Sequence, residues 1–265
     1  MYMFNLTGKY AFITGGAGLL GKKHAEAIIE FGGTAIVADQ NIKAAKSVCK
    51  ELGKSAIPVY VDVNNKSDIQ AAVDQFEKID ILINNAAKDP KVKKSEGLSP
   101  ETRFETMTKE FWIDGISTIL NGTFLCSQVI ANKMLKSGGG VILNISSDLG
   151  VISPDQRLYR QEDLSEEKQN VKPITYSAAK WGVIGMTKYL ATYFADKNIR
   201  VNSLCPSGVY DNHPDQFVER ITKLIPMGRM ANIDEYKGAI IFLCSDASSY
   251  MTGSNLIIDG GRTSW

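Results

Sequence analysis

The sequence predicts an α/β fold: a doubly wound, mostly parallel seven-stranded sheet with helices on both faces. Three observations carry that prediction. Seven short apolar runs of strand length alternate with stretches of helical periodicity, and such alternation joins parallel strands through helical crossovers. The runs read as continuously apolar, as strands buried on both faces do. A glycine-rich turn, Thr14-Gly-Gly-Ala-Gly-Leu-Leu-Gly21, links the first run to the first helical stretch.

In chain order, the strands are expected at 10–14, 34–38, 56–61, 79–83, 141–145, 200–204 and 255–259. Apolar periodicity near 3.6 residues places helices at 20–31, 42–52, 67–76, 108–136, 176–195 and 233–245. No internal repeat or low-complexity linker divides residues 1–265, so one domain is expected. Two segments break the rhythm, at about 148–175 and 206–230, the first around a polar stretch at 153–175. Both follow strands, at the sheet edge where open α/β folds bind ligands, and are expected to contact substrate.

Composition narrows the partners. The chain is 44% hydrophobic and 22% charged, with a formal net charge of +1. That balance gives no electrostatic reason to expect nucleic acid. No apolar run approaches the roughly 20 residues of a membrane span, and no signal-peptide pattern opens the chain. Cys49, Cys126, Cys205 and Cys244 lie apart in apolar segments, which reads as buried thiols in a reducing cytoplasm, with no metal site.

The glycine turn carries the first chemistry. Gly16, Gly18 and Gly21 fit G-x-G-x-x-G between a strand and a helix. Such glycines allow a tight turn and close backbone approach, and the helix N-terminus attracts a pyrophosphate. Asp39 ends the second strand, where a carboxylate binds an adenosine ribose 2′-hydroxyl and repels a 2′-phosphate. No Arg follows it, since Gln40 and Asn41 come next. NAD is therefore the expected cofactor and NADP the alternative, with Lys22, Lys23 and Lys43 as nearby cations.

Tyr176-Ser-Ala-Ala-Lys180 carries the second. Residues i and i+4 share a helix face, so a phenol and an ammonium enter one site. A cation beside Tyr176 favours its phenolate and draws it toward acid–base work near neutral pH.

With these pieces the chain resembles the single-domain branch of the short-chain dehydrogenase/reductase family, which implies a Rossmann-like sheet. The motifs run in order through Asp62-Val63, Asn84-Asn85-Ala86-Ala87, Asn144-Ile-Ser-Ser147, Tyr176-x-x-x-Lys180, Asn202-Ser-Leu-Cys-Pro206 and Asp259-Gly-Gly261. The resemblance implies direct hydride transfer between a secondary alcohol and a ketone. Tyr176 exchanges the proton, Lys180 binds the nicotinamide ribose, and Ser147 bonds the substrate oxygen. Gly15, Gly16, Gly18, Leu19, Leu20, Gly21, Asp39, Gln40, Asp62, Val63, Asn85, Ala86, Ala87, Tyr176, Lys180, Pro206 and Val209 are the implied cofactor contacts. A homo-oligomer, dimer or tetramer, is also implied.

Three departures shape the substrate expectation. Leu19 stands where this branch has glycine, and the spacing Gly15, Gly18, Gly21 looks like the sugar-nucleotide-handling branch. Ile119 stands where the family places a fourth catalytic Asn. Ser147 and Tyr176 are 29 positions apart, a separation enlarged by an insertion. Within it, Arg157 and Arg160 are candidates to clamp a phosphate or carboxylate, and the charged run 162–172 reads as a solvated face. His213 is a further substrate candidate, whereas His24 reads as a surface or helix-packing residue.

The expected substrate is a polar, sugar-derived small molecule. The wording from Ser147 to Tyr159 resembles bacterial oxidoreductases of flagellin or surface-glycan modification. Two other functions compete: a nucleotide-sugar epimerase or dehydratase with bound NAD, and a catalytically silent dinucleotide-binding regulator.

Overall fold

The computed structural model describes residues 2–89, 102–162 and 164–265. Its strands are β1 Tyr10–Thr14, β2 Thr34–Asp39, β3 Ala56–Tyr60, β4 Ile81–Asn84, β5 Gly140–Ile145, β6 Ile199–Pro206 and β7 Asn255–Ile258. They form one sheet in the order β3-β2-β1-β4-β5-β6-β7, and every pairing is parallel. Among the described residues the helices are α1 Leu19–Glu30, α2 Ile42–Leu52, α3 Lys66–Val73, α4 Lys109–Ile116, α5 Gly122–Lys136, α6 Ile174–Tyr193, α7 Asp215–Thr222 and α8 Lys237–Cys244.

Successive strand residues face opposite sides, which is why the central strands carry apolar residues on both faces. Ile13, Val37, Ile83, Leu143 and Leu204 pack under α1, α2 and α8. Phe12, Ile36, Leu82, Ile142 and Val201 pack on the other side against α3, α5 and α6. A buried polar ladder pins the centre across the strand ends. The Asn84 amide donates to Asn144 Oδ1 (2.8 Å) and Ser127 Oγ (3.0 Å), and Asn144 Nδ2 donates to Thr187 Oγ1 (2.8 Å).

Three local readings are corrected. The helix expected across 108–136 is interrupted by a π turn at Ser117–Asn121. The extra residue of that turn leads into Gly122, where a Cβ would come within 2.8 Å of Val63 Cγ2, so α5 begins in tight contact with the loop after β3. The helix expected at 233–245 starts only at Lys237, after a turn in which Asn232 N–H donates to the Glu235 carboxylate (2.7 Å). The segment after β6 is not all loop, because α7 folds within it with Ile221 turned inward.

All four cysteines are buried free thiols. Burial pushes Cys126 and Cys244 up to about 12. Among the described residues, no helix is long and apolar enough to cross a membrane.

Candidate active site

The strand order reverses between β1 and β4, and their carboxyl ends diverge there. A cavity of about 1170 Å³ opens along this edge. It runs from Leu19, Asp39 and Asp62 at one end to Ser147, Tyr176, His213 and Arg262 at the other.

The glycine turn is held from below. Asn85 Nδ2 donates to the carbonyls of Thr14 (3.0 Å) and Gly15 (3.1 Å), while Thr14 Oγ1 accepts from the N–H groups of Asn85 and Ala86 (both 3.0 Å). Gly15 has φ +60°, and a Cβ on it would lie 2.9 Å from Ala86 Cα. Side chains are thus excluded where a dinucleotide backbone must approach. Asp39 Oδ2 accepts from Ala17 N–H (3.1 Å) and Oδ1 from Asn41 N–H (2.9 Å), which fixes the carboxylate at the cavity wall. These residues fit a dinucleotide.

Gly15, Gly18, Leu19, Leu20, Asp39, Gln40, Asp62, Val63, Asn85, Ala86, Ala87, Pro206 and Val209 all border this cavity. Gly16 and Gly21 lie behind them in the turn. A Cβ on Gly16 would meet Ile13 O at 2.9 Å, and one on Gly21 would meet Gly15 O at 2.1 Å. Those two glycines pack the turn against β1 and α1.

His24 lies buried in α1, so of its two readings the structure gives helix packing. Burial pushes its pKa down to about 4, against a smaller opposing pull from the Asn85 side chain. An unfolded histidine titrates near 6.5, so between these values the unfolded chain binds a proton that the folded chain refuses. Stability is therefore expected to fall as pH drops from about 6.5 through 4, by up to about 3 kcal/mol. Urea midpoints across this range, compared with His24→Leu, read the effect; equal slopes for both proteins would remove it.

At the other end, Ser147 and Tyr176 meet Lys180. Lys180 is buried, and its Nζ donates to the Ile145 carbonyl (2.7 Å) and sits 5.6 Å from the Tyr176 ring centroid. Burial pushes Lys180 down to about 8. Burial, then the Asp89 carboxylate, pushes the Tyr176 phenol up, while the Ser147 hydroxyl opposes them. Ser146 also borders the cavity, and its Oγ donates to the Lys180 carbonyl (2.9 Å). Ile119 packs with Ala179, Val183 and Tyr176, and its carbonyl accepts from Thr123 Oγ1 (2.6 Å). No polar side chain replaces the absent Asn at that position.

The insertion is built differently from its expected form. Arg157 is 81% exposed, does not border the cavity, and spends its guanidinium on Asp155 (2.7 and 2.9 Å). The structure does not bring Arg157 to the cavity wall with Ser147 and Tyr176, and its guanidinium is held by the carboxylate two residues earlier. Arg160 borders the cavity and pairs with Glu166.

The run 162–172 is not simply solvated, because Gln169, Asn170 and Lys172 are buried. Two glutamines staple it. Gln156 exchanges two hydrogen bonds with the Lys172 backbone (2.8 and 3.1 Å), and Gln169 does the same with Gln161 (both 2.8 Å). His213 borders the cavity, stacked on Phe217 with centroids 5.3 Å apart.

Four charged residues of this end were not singled out from the sequence: Asp89, Asp148, Lys172 and Arg262. Lys172 pairs with Asp89, and Arg262 Nη1 donates to Asp148 Oδ2 (2.7 Å) with both side chains buried. An arginine directly after the Asp-Gly-Gly turn was the one available signal.

Comparison with known proteins places this geometry. The family model described as short chain dehydrogenase matches residues 9–159, and that described as enoyl-(acyl carrier protein) reductase matches residues 163–263. The chain is 33% identical to an NAD-dependent glycerol dehydrogenase of Listeria innocua, covering 98% of this chain and 96% of the relative. It is 32% identical to a D-threitol dehydrogenase of Mycolicibacterium smegmatis, covering 98% and 95%. A gluconate 5-dehydrogenase from Burkholderia cenocepacia, solved with NADP and tartrate, superposes with a TM-score of 0.83 at 28% identity, covering 99% and 98%.

Proposed function

Since the chain belongs to the short-chain dehydrogenase/reductase family, we propose that it is an NAD-preferring oxidoreductase interconverting a secondary alcohol and a ketone on a polyol-like metabolite. The observation that carries this reading is the meeting of Ser147, Tyr176 and Lys180 at one end of a cavity whose other end is a glycine cradle closed by Asp39.

Gly15, Gly18, Asp39, Asp62, Val63, Asn85–Ala87, Pro206 and Val209 would hold the dinucleotide. The bound cofactor supplies hydride acceptance and donation. Tyr176 takes the proton from the substrate hydroxyl during oxidation and returns it during reduction. Lys180 supplies positive charge beside Tyr176 and a donor to the cofactor ribose. Ser147 aligns the substrate oxygen with the phenol. A positioned acid–base group contributes about 10²- to 10⁴-fold, and orientation supplies much of the remainder.

Asp39 supports NAD over NADP. It has no ion-pair partner among the described residues, and no Lys or Arg joins Leu19, Leu20, Asp39, Gln40 and Asp62 at that end of the cavity. Lys22 pairs with Glu51, and Lys23 pairs with Glu26 and Asp234. For the substrate, Asp89, Gln161, Asp211, Asn212 and Gln216 offer polar partners to a chain of hydroxyls. The glycerol- and threitol-acting relatives support the same class. The surface-glycan context rests only on the wording from Ser147 to Tyr159.

Exposed apolar side chains at Ile113, Phe124, Trp181, Tyr189 and Tyr193, and at Tyr250 and Trp265, support assembly into a dimer or tetramer.

Cofactor absorbance tests the function, using NAD or NADP with glycerol, threitol, other sugar alcohols, amino sugars and nucleotide sugars. Reduction of NAD by polyols is expected, with Asp39→Ala losing most of the preference for NAD over NADP. A wild-type protein inert toward every polyol overturns the substrate class. An unchanged cofactor ratio in Asp39→Ala overturns that residue's role. Conversion of a nucleotide sugar without net cofactor change would favour the epimerase.

A further inference from the structure

Tyr176 faces an unusual balance of charge. Lys180 approaches from its own helix, Asp148 from the end of β5, Asp89 from the end of β4, and Tyr159 and Lys172 from the insertion. Arg262 neutralises Asp148 at 2.7 Å, which leaves the Asp89–Lys172 pair as the next charges over the phenol. Lys172 Nζ lies 4.4 Å from the Tyr176 ring centroid, closer than Lys180 Nζ at 5.6 Å. Its side chain is 8% exposed, whereas that of Asp89 is 43% exposed. The backbone of Lys172 is fixed by both hydrogen bonds to the Gln156 amide (2.8 and 3.1 Å). This is a held ammonium on a ring face.

We propose that Lys172 is a positioning residue of the reaction, a second cation carried by the insertion onto the ring of Tyr176, with Asp89 as the counter-ion that sets how strongly it acts. The inference rests on the acid–base reading of Tyr176 given above.

A cation over an aromatic face is attracted to the phenol and far more strongly to the phenolate, so its presence favours loss of the proton. Burial and Asp89 oppose that loss. Lys180 is a weakening helper above about pH 8, the value to which burial brings it. With Ile119 apolar, the π turn before α5 offers no polar side chain at the position of the family's relay. The insertion instead brings a second ammonium to the ring, 4.4 Å from its centroid.

The pair has opposite signs, so its two halves make opposite predictions. Protein labelled with ¹³C at tyrosine Cζ is titrated with NAD present and no substrate, and the Tyr176 signal is assigned by its loss in Tyr176→Phe. Lys172→Met is expected to move the Tyr176 midpoint upward by roughly one pH unit. Asp89→Asn is expected to move it downward, and Lys172→Arg to stay near wild type. The same signs are expected in the acidic limb of kcat/KM for glycerol or threitol oxidation, because Tyr176 is the base in that direction.

Asp89 is partly hydrated, so removing Lys172 does not strand a buried charge, and Lys172→Arg keeps the test open if Lys172→Met folds poorly. Unmoved midpoints in both Lys172→Met and Asp89→Asn, or movement of both in one direction, overturn the proposal and leave the pair purely structural. Failure of the wild type on polyols would instead overturn the substrate class, since the titration needs no substrate.

Discussion

Tyr176→Phe is expected to lower turnover by about 10²- to 10⁴-fold while NADH affinity stays nearly unchanged. The substitution removes one hydroxyl and keeps the ring. That ring packs with Ile119, Ala179 and Val183, and it seats Lys172 on its face, so Phe preserves the cluster. What disappears is the group able to exchange a proton with the substrate oxygen. The glycine cradle and Asp39 lie at the far end of the cavity and are untouched. Steady-state rates with a polyol, paired with NADH fluorescence titration, separate the two effects. A variant that keeps full activity would remove Tyr176 from the chemistry, and loss of NADH affinity equal to the loss of rate would make its role one of cofactor binding. A transition-state interaction must appear in kcat as well as in kcat/KM.

The parts of this protein legible in its sequence are those encoded by short-range periodicity. The central strands are apolar on both faces along most of their length because both faces are covered, and their carboxyl ends carry the consecutive motifs. Thr14, Asn84, Asn85 and Ser147 therefore come to one sheet edge without any knowledge of loops. Tyr176 and Lys180 meet because a helix brings i and i+4 together.

The rest depends on contacts between distant segments. Asp148 and Arg262 are 114 residues apart, and Lys172 and Asp89 are 83 apart. Nothing local marks either pair. The run 162–172 looked solvated because its charges dominate its composition, yet Gln156 and Gln169 use their amides to fold it back. The Arg157–Asp155 pair is local, and Asp155 two residues before the arginine was there to be read. The break at Ser117–Asn121 was hidden because a π turn keeps helical periodicity nearly intact while adding one residue.

Arg262→Leu is expected to cost about 3–5 kcal/mol of stability and to impair catalysis in the fraction that folds. The Asp148 carboxylate is buried and accepts four hydrogen bonds. Oδ2 accepts from Arg262 Nη1 (2.7 Å) and Ser207 Oγ (2.8 Å), and Oδ1 from Ser147 Oγ (2.9 Å) and Leu149 N–H (2.8 Å). Without Arg262 the anion keeps its neutral donors but loses its only ion-pair partner among the described residues, and an unpaired buried charge is costly. The catalytic consequence follows from Oδ1. Asp148 Oδ1 and Leu149 N–H hold the Ser147 oxygen in place from opposite hydrogen-bond directions, at 2.9 and 3.2 Å, so the serine sits in one position at the cavity wall. Asp148→Asn combined with Arg262→Leu removes both charges and is expected to recover much of the lost stability. It is not expected to recover rate, because an amide can turn its NH₂ toward Ser147 and reverse that bond. Urea denaturation of the two single variants and the double variant closes the cycle, and kcat with a polyol is measured on the same samples. Strictly additive losses would mean that Arg262 and Asp148 act independently. Recovery of rate together with stability would mean that the pair holds the fold and leaves Ser147 to orient itself.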